Sequence, residues 1–163
     1  MKNIKWLWLS FAVMVLDQVS KAIIRHFMTQ GQSLRILDQI FMLTYTQNTG
    51  AAFSLSLGNP SFNRVFFIII TFIAVGLILF LLHNSKDKWQ NIGLSLVIGG
   101  ALGNVIDRIF LGSVTDFLDC DFPDFIMPRW PIFNIADSSI VIAMFILAIY
   151  ILFFEHRKNL PQA

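Results

Sequence analysis

Nine of the ten acidic residues in this chain are aspartates, and several stand beside asparagine, lysine or arginine at helical spacing. Asp17 and Lys21 are four residues apart, as are Asn104 and Arg108, with Asp107 three from Asn104. Each set would therefore share one face of a helix. Asp116 occurs in Val114-Thr115-Asp116-Phe117 and Asp137 in Phe133-Asn134-Ile135-Ala136-Asp137-Ser138. Two carboxyl groups held close together do not both ionise comfortably, so one keeps a proton while the other acts as base toward water. Such a pair can attack a carbonyl and then protonate the departing amine, which is aspartic peptide hydrolysis. Asp116 and Asp137 are the natural pair, one on a loop and one near a helix start.

Other chemistries find less support. His83 and His156 fall at the far ends of their segments from this cluster, and His26 stands beyond the first segment, which disfavours serine–histidine catalysis. No H-E-x-x-H occurs. One cysteine, Cys120, and three histidines leave no disulfide framework and too few soft ligands for zinc. A calcium loop starting at Asp119 fails at Pro123 and lacks its glycine. No metal or cofactor is expected. A serine–lysine dyad of Lys21 with Ser138 or Ser139 stays open, although Ser20 points off the face of Lys21. Asp17 and Lys21 serve equally well as a structural ion pair or as part of a site. Asp107 reads as a buried partner that fixes a neighbouring loop. Asp137 has no basic residue at helical spacing and needs either a tertiary partner or a raised pKa, and Asp116 alone would read as a solvated loop acid.

The elements that must position these residues follow from composition. Of 163 residues, 56% are hydrophobic and 13% charged, about half the charge of an ordinary soluble domain. That balance predicts an all-α polytopic membrane protein forming one integral membrane domain over 1–163. A net charge of +2 without a basic stripe argues against nucleic-acid binding. Four apolar windows reach spanning length, at about 6–24, 65–82, 92–109 and 133–154. The first has Asp17 and Lys21 where a signal peptide would carry small cleavage-site residues, so an uncleaved helix is expected. Phe117-Leu118-Asp119 before Cys120 is not a lipobox.

Lys2, Lys5, Lys86, Lys88, Arg157 and Lys158 cluster in three short stretches, which predicts both termini on the cytoplasmic side. The long connections, 25–64 and 110–132, then face outward. At 1.5 Å per residue, Asp17 and Lys21 lie roughly 16 and 22 Å above the inner end of the first helix, Asn104 and Arg108 roughly 18 and 24 Å up the third, and Asp137 roughly 26 Å up the fourth. Three helices thus bring polar groups to one level in the outer half of the bilayer, and the second window brings none. Gly99 and Gly103, widened by Gly100, form a small surface for close helix approach. In the first outer connection, 34–37 and 41–47 read as short strands, Asn48-Thr49-Gly50 as a turn, and 51–57 as a possible return strand; an irregular loop reads equally well there. The second connection is rich in aspartate, aromatics and proline.

Together these residues resemble the bacterial prolipoprotein signal peptidases (signal peptidase II) along essentially the whole chain. Five motifs carry the resemblance, in order: Asp17-Gln18-Val19-Ser20-Lys21, Asn48-Thr49-Gly50-Ala51-Ala52-Phe53, Gly100-Ala101-Leu102-Gly103-Asn104-Val105-Ile106-Asp107-Arg108, Val114-Thr115-Asp116-Phe117 and Phe133-Asn134-Ile135-Ala136-Asp137-Ser138. The resemblance implies four helices with a small extracytoplasmic β-sheet. It also implies an aspartic endopeptidase of the bacterial cytoplasmic (inner) membrane that cuts a signal peptide just before a diacylglyceryl-modified cysteine. Asp116 and Asp137 would be the catalytic dyad. Asn48, Gly50, Asn104, Arg108 and Asn134 would line the site and place the substrate, with Asp17 and Lys21 in support. The implied partners are the diacylglyceryl-modified prolipoprotein, membrane lipid and the inhibitor globomycin, a cyclic peptide, and the working expectation is a monomer.

The physics of the substrate agrees with that placement. A signal-peptide helix and an acylated cysteine both partition into the bilayer, which delivers the scissile bond to the outer interface. Arg108 or Asn104 would hold the substrate backbone or lipid ester while the outer loop closes. Two non-hydrolytic readings compete: a small transporter with a proton or ion path through Asp17, Lys21, Asp107, Arg108 and Asp137, and a scaffold protein. Against the first, the polar groups stop at the outer level; against the second, a scaffold needs no two aspartates at one depth.

Overall fold

The computed structural model describes residues 3–37, 40–50, 59–121 and 130–155. A 3-10 turn, Ile4–Trp6, leads into α1 (Leu7–Phe27), followed by strands β1 (Ser33–Leu37) and β2 (Phe41–Asn48), helices α2 (Pro60–Asn84) and α3 (Lys88–Leu111), strand β3 (Val114–Cys120) and helix α4 (Ile135–Tyr150), which continues as a π-helical turn over Ile151–Glu155. Four helical segments are long and apolar enough to cross a membrane: Ile4–Phe27, Pro60–Asn84, Lys88–Leu111 and Ile135–Phe153. Their flanks wear a belt of exposed large apolar side chains such as Phe11, Leu77, Phe110 and Phe145, as lipid-facing helices do.

α2 and α3 begin at capping residues that lie ahead of their apolar windows, and α4 begins at one inside its window. Asn59 accepts from the Phe62 N–H at 2.9 Å and Pro60 occupies the first turn, so α2 starts five residues before Val65. That extension brings Asn63 and Arg64 into the helix. Arg64 Nη2 donates to the Ile109 carbonyl at 2.6 Å, tying α2 to the far end of α3. The second helix therefore does carry polar residues, contrary to the reading of its apolar window. Asp87 caps α3, accepting from Trp89 N–H at 2.9 Å, and Asn134 caps α4 in a reciprocal capping box with Asp137.

α3 lies at the centre, packed against α1, α2 and α4. Its glycines make this possible. A methyl group at Gly99 would stand 2.7 Å from the Ser10 carbonyl, and one at Gly103 would stand 2.5 Å from Asp17 Oδ2, so α1 lies directly against that face. Gly100 meets Ala136 and Ser139 of α4 in the same way. α3 ends at Gly112, whose φ of +80° is a left-handed conformation that an L side chain resists, and whose N–H returns to the Arg108 carbonyl at 3.2 Å. The chain turns there into β3.

The three strands form an antiparallel sheet in the order β1-β2-β3. The two strands expected in the first connection are present. The return strand expected over 51–57 lies outside the described residues. Sheet formation instead recruits the second connection, where β3 was not anticipated: Thr46 pairs with Asp116 and Asn48 with Val114. Phe133 joins β3 by a bridge to Leu118, its carbonyl accepting from Phe117 and Leu118 N–H. The sheet thereby holds the start of α4 against the strand that carries Asp116.

Candidate active site

Three helices, α1, α3 and α4, converge with strands β2 and β3 at one end of the bundle. On α1, Asp17 and Lys21 are both fully buried, 0% exposed, and form an ion pair at 2.8 Å. Burial of that kind is tolerated only when every polar atom is satisfied. Asp17 Oδ1 accepts the Ala136 N–H, one of the unbonded donors at the start of α4, at 2.9 Å. Lys21 Nζ reaches Asn104 Oδ1 at 2.8 Å and Asp107 Oδ2 at 3.5 Å. The pair joins α1 to α3 and α4, and Lys21 touches Asn104.

Asn104 passes the orientation on. With its oxygen held by Lys21, its amide nitrogen donates to Asp137 Oδ1 at 2.8 Å. Asp137, in the first turn of α4, also accepts the Asn134 backbone N–H on Oδ2 at 3.2 Å, while its own N–H donates to Asn134 Oδ1. These are the tertiary partners that Asp137 was expected to need. The first-turn position adds the helix dipole, which favours negative charge.

Asp116 sits on β3 with 3% of its surface exposed. Asn134 Nδ2 donates to its Oδ1 at 2.6 Å and Asn48 Nδ2 to its Oδ2 at 3.2 Å. Asn134 thus touches both carboxyl groups, Asp116 through its side chain and Asp137 through its backbone. Burial, and next the negative charge of Asp137, push the Asp116 carboxyl up to about 7, against smaller opposing effects from the two asparagines and Lys21. Asp116 is not the solvated loop acid that its sequence position alone suggests.

Asn48 also shapes the turn that follows β2. Its Oδ1 accepts the Gly50 N–H at 2.9 Å, and the Gly50 carbonyl receives Arg108 Nη2 at 2.8 Å. The Arg108 guanidinium lies 5.1 Å from the centre of the Phe67 ring and interacts with the charges of Asp137 and Asp116. The structure therefore brings together all nine sequence candidates: Asp116 and Asp137 with Asp17, Lys21, Asn48, Gly50, Asn104, Arg108 and Asn134. Ala51, Ala52 and Phe53 of the second motif lie outside the described residues.

Asp107 fixes the neighbouring loop, accepting the Thr115 N–H on Oδ2 at 2.9 Å. Around it are three groups the sequence did not single out. Gln18 Nε2 donates to the Gly103 carbonyl and to Asp107 Oδ1, and Arg25 Nη1 lies 3.4 Å from Asp107 Oδ1 and 3.0 Å from Thr115 Oγ1. Arg25 had a legible signal, since it continues the face of Asp17 and Lys21 by one more turn. Thr115 had only its place in the Val114-Thr115-Asp116-Phe117 motif until β3 was known. The serine–lysine alternative loses its geometry: Ser20, Ser138 and Ser139 donate to the backbone carbonyls of Asp17, Asn134 and Ala136, while Lys21 is committed to Asp17, Asn104 and Asp107.

The sequence profile described as Signal peptidase (SPase) II matches residues 9–153. The chain belongs to the signal peptidase II family. A lipoprotein signal peptidase of Coxiella burnetii (strain Dugway 5J108-111) is 43% identical over 156 residues, covering 94% of this chain and 93% of that protein. One from Geobacter sulfurreducens is 40% identical, covering 89% of each. Among solved structures, a bacterial membrane enzyme determined by the in meso method at 2.3 Å superposes with a TM-score of 0.84 at 31% identity, covering 98% of this chain and 93% of the other. A second, at 1.9 Å, gives 0.79 at 33% identity, covering 92% and 94%. The signal peptidase II fold thus comprises four membrane helices and the small antiparallel sheet, and the chain is a multi-pass membrane protease.

Proposed function

We propose that this chain is an aspartic endopeptidase that removes the signal peptide from diacylglyceryl-modified prolipoproteins, cutting just before the lipidated cysteine, with Asp116 and Asp137 as its dyad. The observation that carries this reading is the bridging of the two carboxyl groups by Asn134, one oxygen of each on the same residue.

The reaction follows from the surroundings of each carboxyl. Asp116, pushed up to about 7, holds its proton below neutral pH and in about half of the molecules at pH 7. Asp137, ringed by N–H donors from Asn104 and Asn134, is the carboxylate. It takes a proton from water as the oxygen attacks the scissile carbonyl, while Asp116 gives its proton to the carbonyl oxygen. Collapse of the tetrahedral intermediate breaks the C–N bond, the proton held on Asp137 passes to the departing amine, and one hydroxyl of the diol returns its proton to Asp116 as the new carboxyl group forms. Arg108 and Asn104 place the substrate. The lipid anchor and the signal helix stay in the bilayer, at the outer interface of the cytoplasmic membrane, with both termini of the enzyme inside.

The direct test is purified protein given a diacylglyceryl-modified precursor and, in parallel, the same precursor without lipid. Release of the signal peptide from the lipidated form alone is expected; equal cleavage of both, or of neither by folded protein, defeats the reading. The pH profile gives a second check. Activity needs Asp116 protonated, so kcat/KM falls as pH rises through about 7. The Asn48 hydrogen bond favours the ionised form, so Asn48→Ala is expected to move this falling limb to higher pH while lowering kcat. A limb that stays in place or moves down would contradict the role of Asp116 as the proton holder.

A further inference from the structure

We infer that Arg25 is a positioning residue for the cleavage reaction, acting on Asp116 from the opposite face of β3. The inference rests on the dyad reading above. Neighbouring side chains on a strand point to opposite faces, so Thr115 faces α1 and α3 while Asp116 faces Asn48 and Asn134.

Thr115 is fully buried and enclosed by a ring of three contacts. Its N–H donates to Asp107 Oδ2 at 2.9 Å, its Oγ1 accepts Arg25 Nη1 at 3.0 Å, and Arg25 Nη1 also reaches Asp107 Oδ1 at 3.4 Å. One guanidinium nitrogen thus serves both the strand and the carboxylate that grips the strand. The Thr115 carbonyl lies 3.4 Å from Asn134 Nδ2, the same nitrogen that donates to Asp116 Oδ1 at 2.6 Å. Thr115 is therefore held on both sides of its Cα, its N–H and hydroxyl by Asp107 and Arg25 and its carbonyl by Asn134, and Arg25 holds the side away from the dyad. Arg25 is 26% exposed and carries its charge at the outer end of α1, where it completes a set of two cations and two carboxylates with Lys21, Asp17 and Asp107. Loosening this ring lets the Asp116 carboxyl drift from Asn134, and misplacement of a reacting group by about 1 Å can cost on the order of 100-fold in rate.

The test compares wild type, Arg25→Ala, Arg25→Lys, Thr115→Val and the double variant Arg25→Ala/Thr115→Val on the lipidated precursor, below the thermal midpoint of each. Asp116→Asn runs as a control. Arg25→Ala and Thr115→Val are each expected to lower kcat on the order of 10- to 100-fold with KM within about twofold. The double variant is expected to be no slower than the slower single variant, because both remove the shared Arg25–Thr115 hydrogen bond. Arg25→Lys, which keeps the charge and a donor, is expected to recover part of kcat. Hydrogen exchange supplies a readout apart from activity: amides of 113–120 exchange faster in Arg25→Ala while those of α2 do not change. Wild-type kcat in Arg25→Ala, losses that multiply in the double variant, or unchanged exchange over β3 would overturn the inference. If Arg25→Ala does not fold, Arg25→Lys and Thr115→Val carry the same comparison. Full activity in Asp116→Asn would instead defeat the dyad reading, and the exchange result would still decide whether Arg25 secures the strand.

Discussion

Asp116→Asn and Asp137→Asn are each expected to lower kcat by about 10³- to 10⁴-fold while leaving a folded, membrane-inserted protein. Asparagine keeps the size and the accepting oxygen of the carboxyl but can neither take a proton from water nor give one to a carbonyl. The two groups act as one unit, so the double variant is expected to be no slower than the slower single variant. Asp116→Asn has a further consequence for stability. A carboxyl near 3.8 in the unfolded chain and about 7 in the fold keeps its proton in the native state across that interval. Native stability is then complete below 3.8 and declines as pH rises to about 7, by up to about 4 kcal/mol. Asparagine does not ionise, so the variant is expected to have a higher thermal midpoint than wild type at pH 8 and no such advantage at pH 4. Thermal scans in detergent at both pH values, run beside the cleavage assay, check both halves. Retained cleavage in both single variants would remove the dyad, and a lower midpoint at pH 8 would show that Asp116 is not a proton-holding acid.

How far this site could be read in advance differs from element to element. Helix periodicity was sufficient for α1, α3 and α4, because depth and face are both fixed by the 1.5 Å rise and the four-residue spacing. Asp17, Lys21, Asn104 and Asp137 do meet, as their levels require. The start of α2 lies ahead of its apolar run because Asn59 and Pro60 begin the helix there, and a hydropathy window does not see a cap. The larger gap was β3. Val114–Cys120 has aspartates at 116 and 119, residues that strands disfavour, and its pairing partner lies about seventy residues earlier in β2. Asp119 is buried and accepts from Thr44 Oγ1 at 2.5 Å, a cross-strand contact with no local signature. The contributions of Thr115 and Arg25 depend on that strand and were hidden with it. The motifs pointed to Asp116 itself, but its burial and its partners came from tertiary structure.

Lys21→Met is the other substitution with a large expected effect, and it separates support from chemistry. Removing one member of a buried ion pair leaves the other charge without compensation, at a cost of about 3–5 kcal/mol. Here the deficit is sharpened, because Lys21 lies 2.8 Å from Asp17 and 3.5 Å from Asp107 and stands as cation to both. With methionine in its place Asp17 keeps only N–H donors, while Asp107 still has Arg25 at 3.4 Å. Asp17→Asn is expected to be milder, since its oxygen can still accept the Ala136 N–H and Lys21 retains Asp107 and Asn104. The order of thermal midpoints should therefore be wild type, Asp17→Asn, then Lys21→Met. Activity should not follow stability alone. Lys21 and Asn134 Nδ2 both donate to the oxygen of Asn104, whose amide nitrogen donates to Asp137, so Lys21→Met removes the shorter of the two bonds that hold that oxygen and loosens the donor facing Asp137. Assayed well below its midpoint, Lys21→Met is expected to lose kcat on the order of 100-fold, while Asp17→Asn keeps most of it. Equal residual activity in the two variants at matched folded fractions would show that Lys21 only holds the helices together and does not orient Asn104.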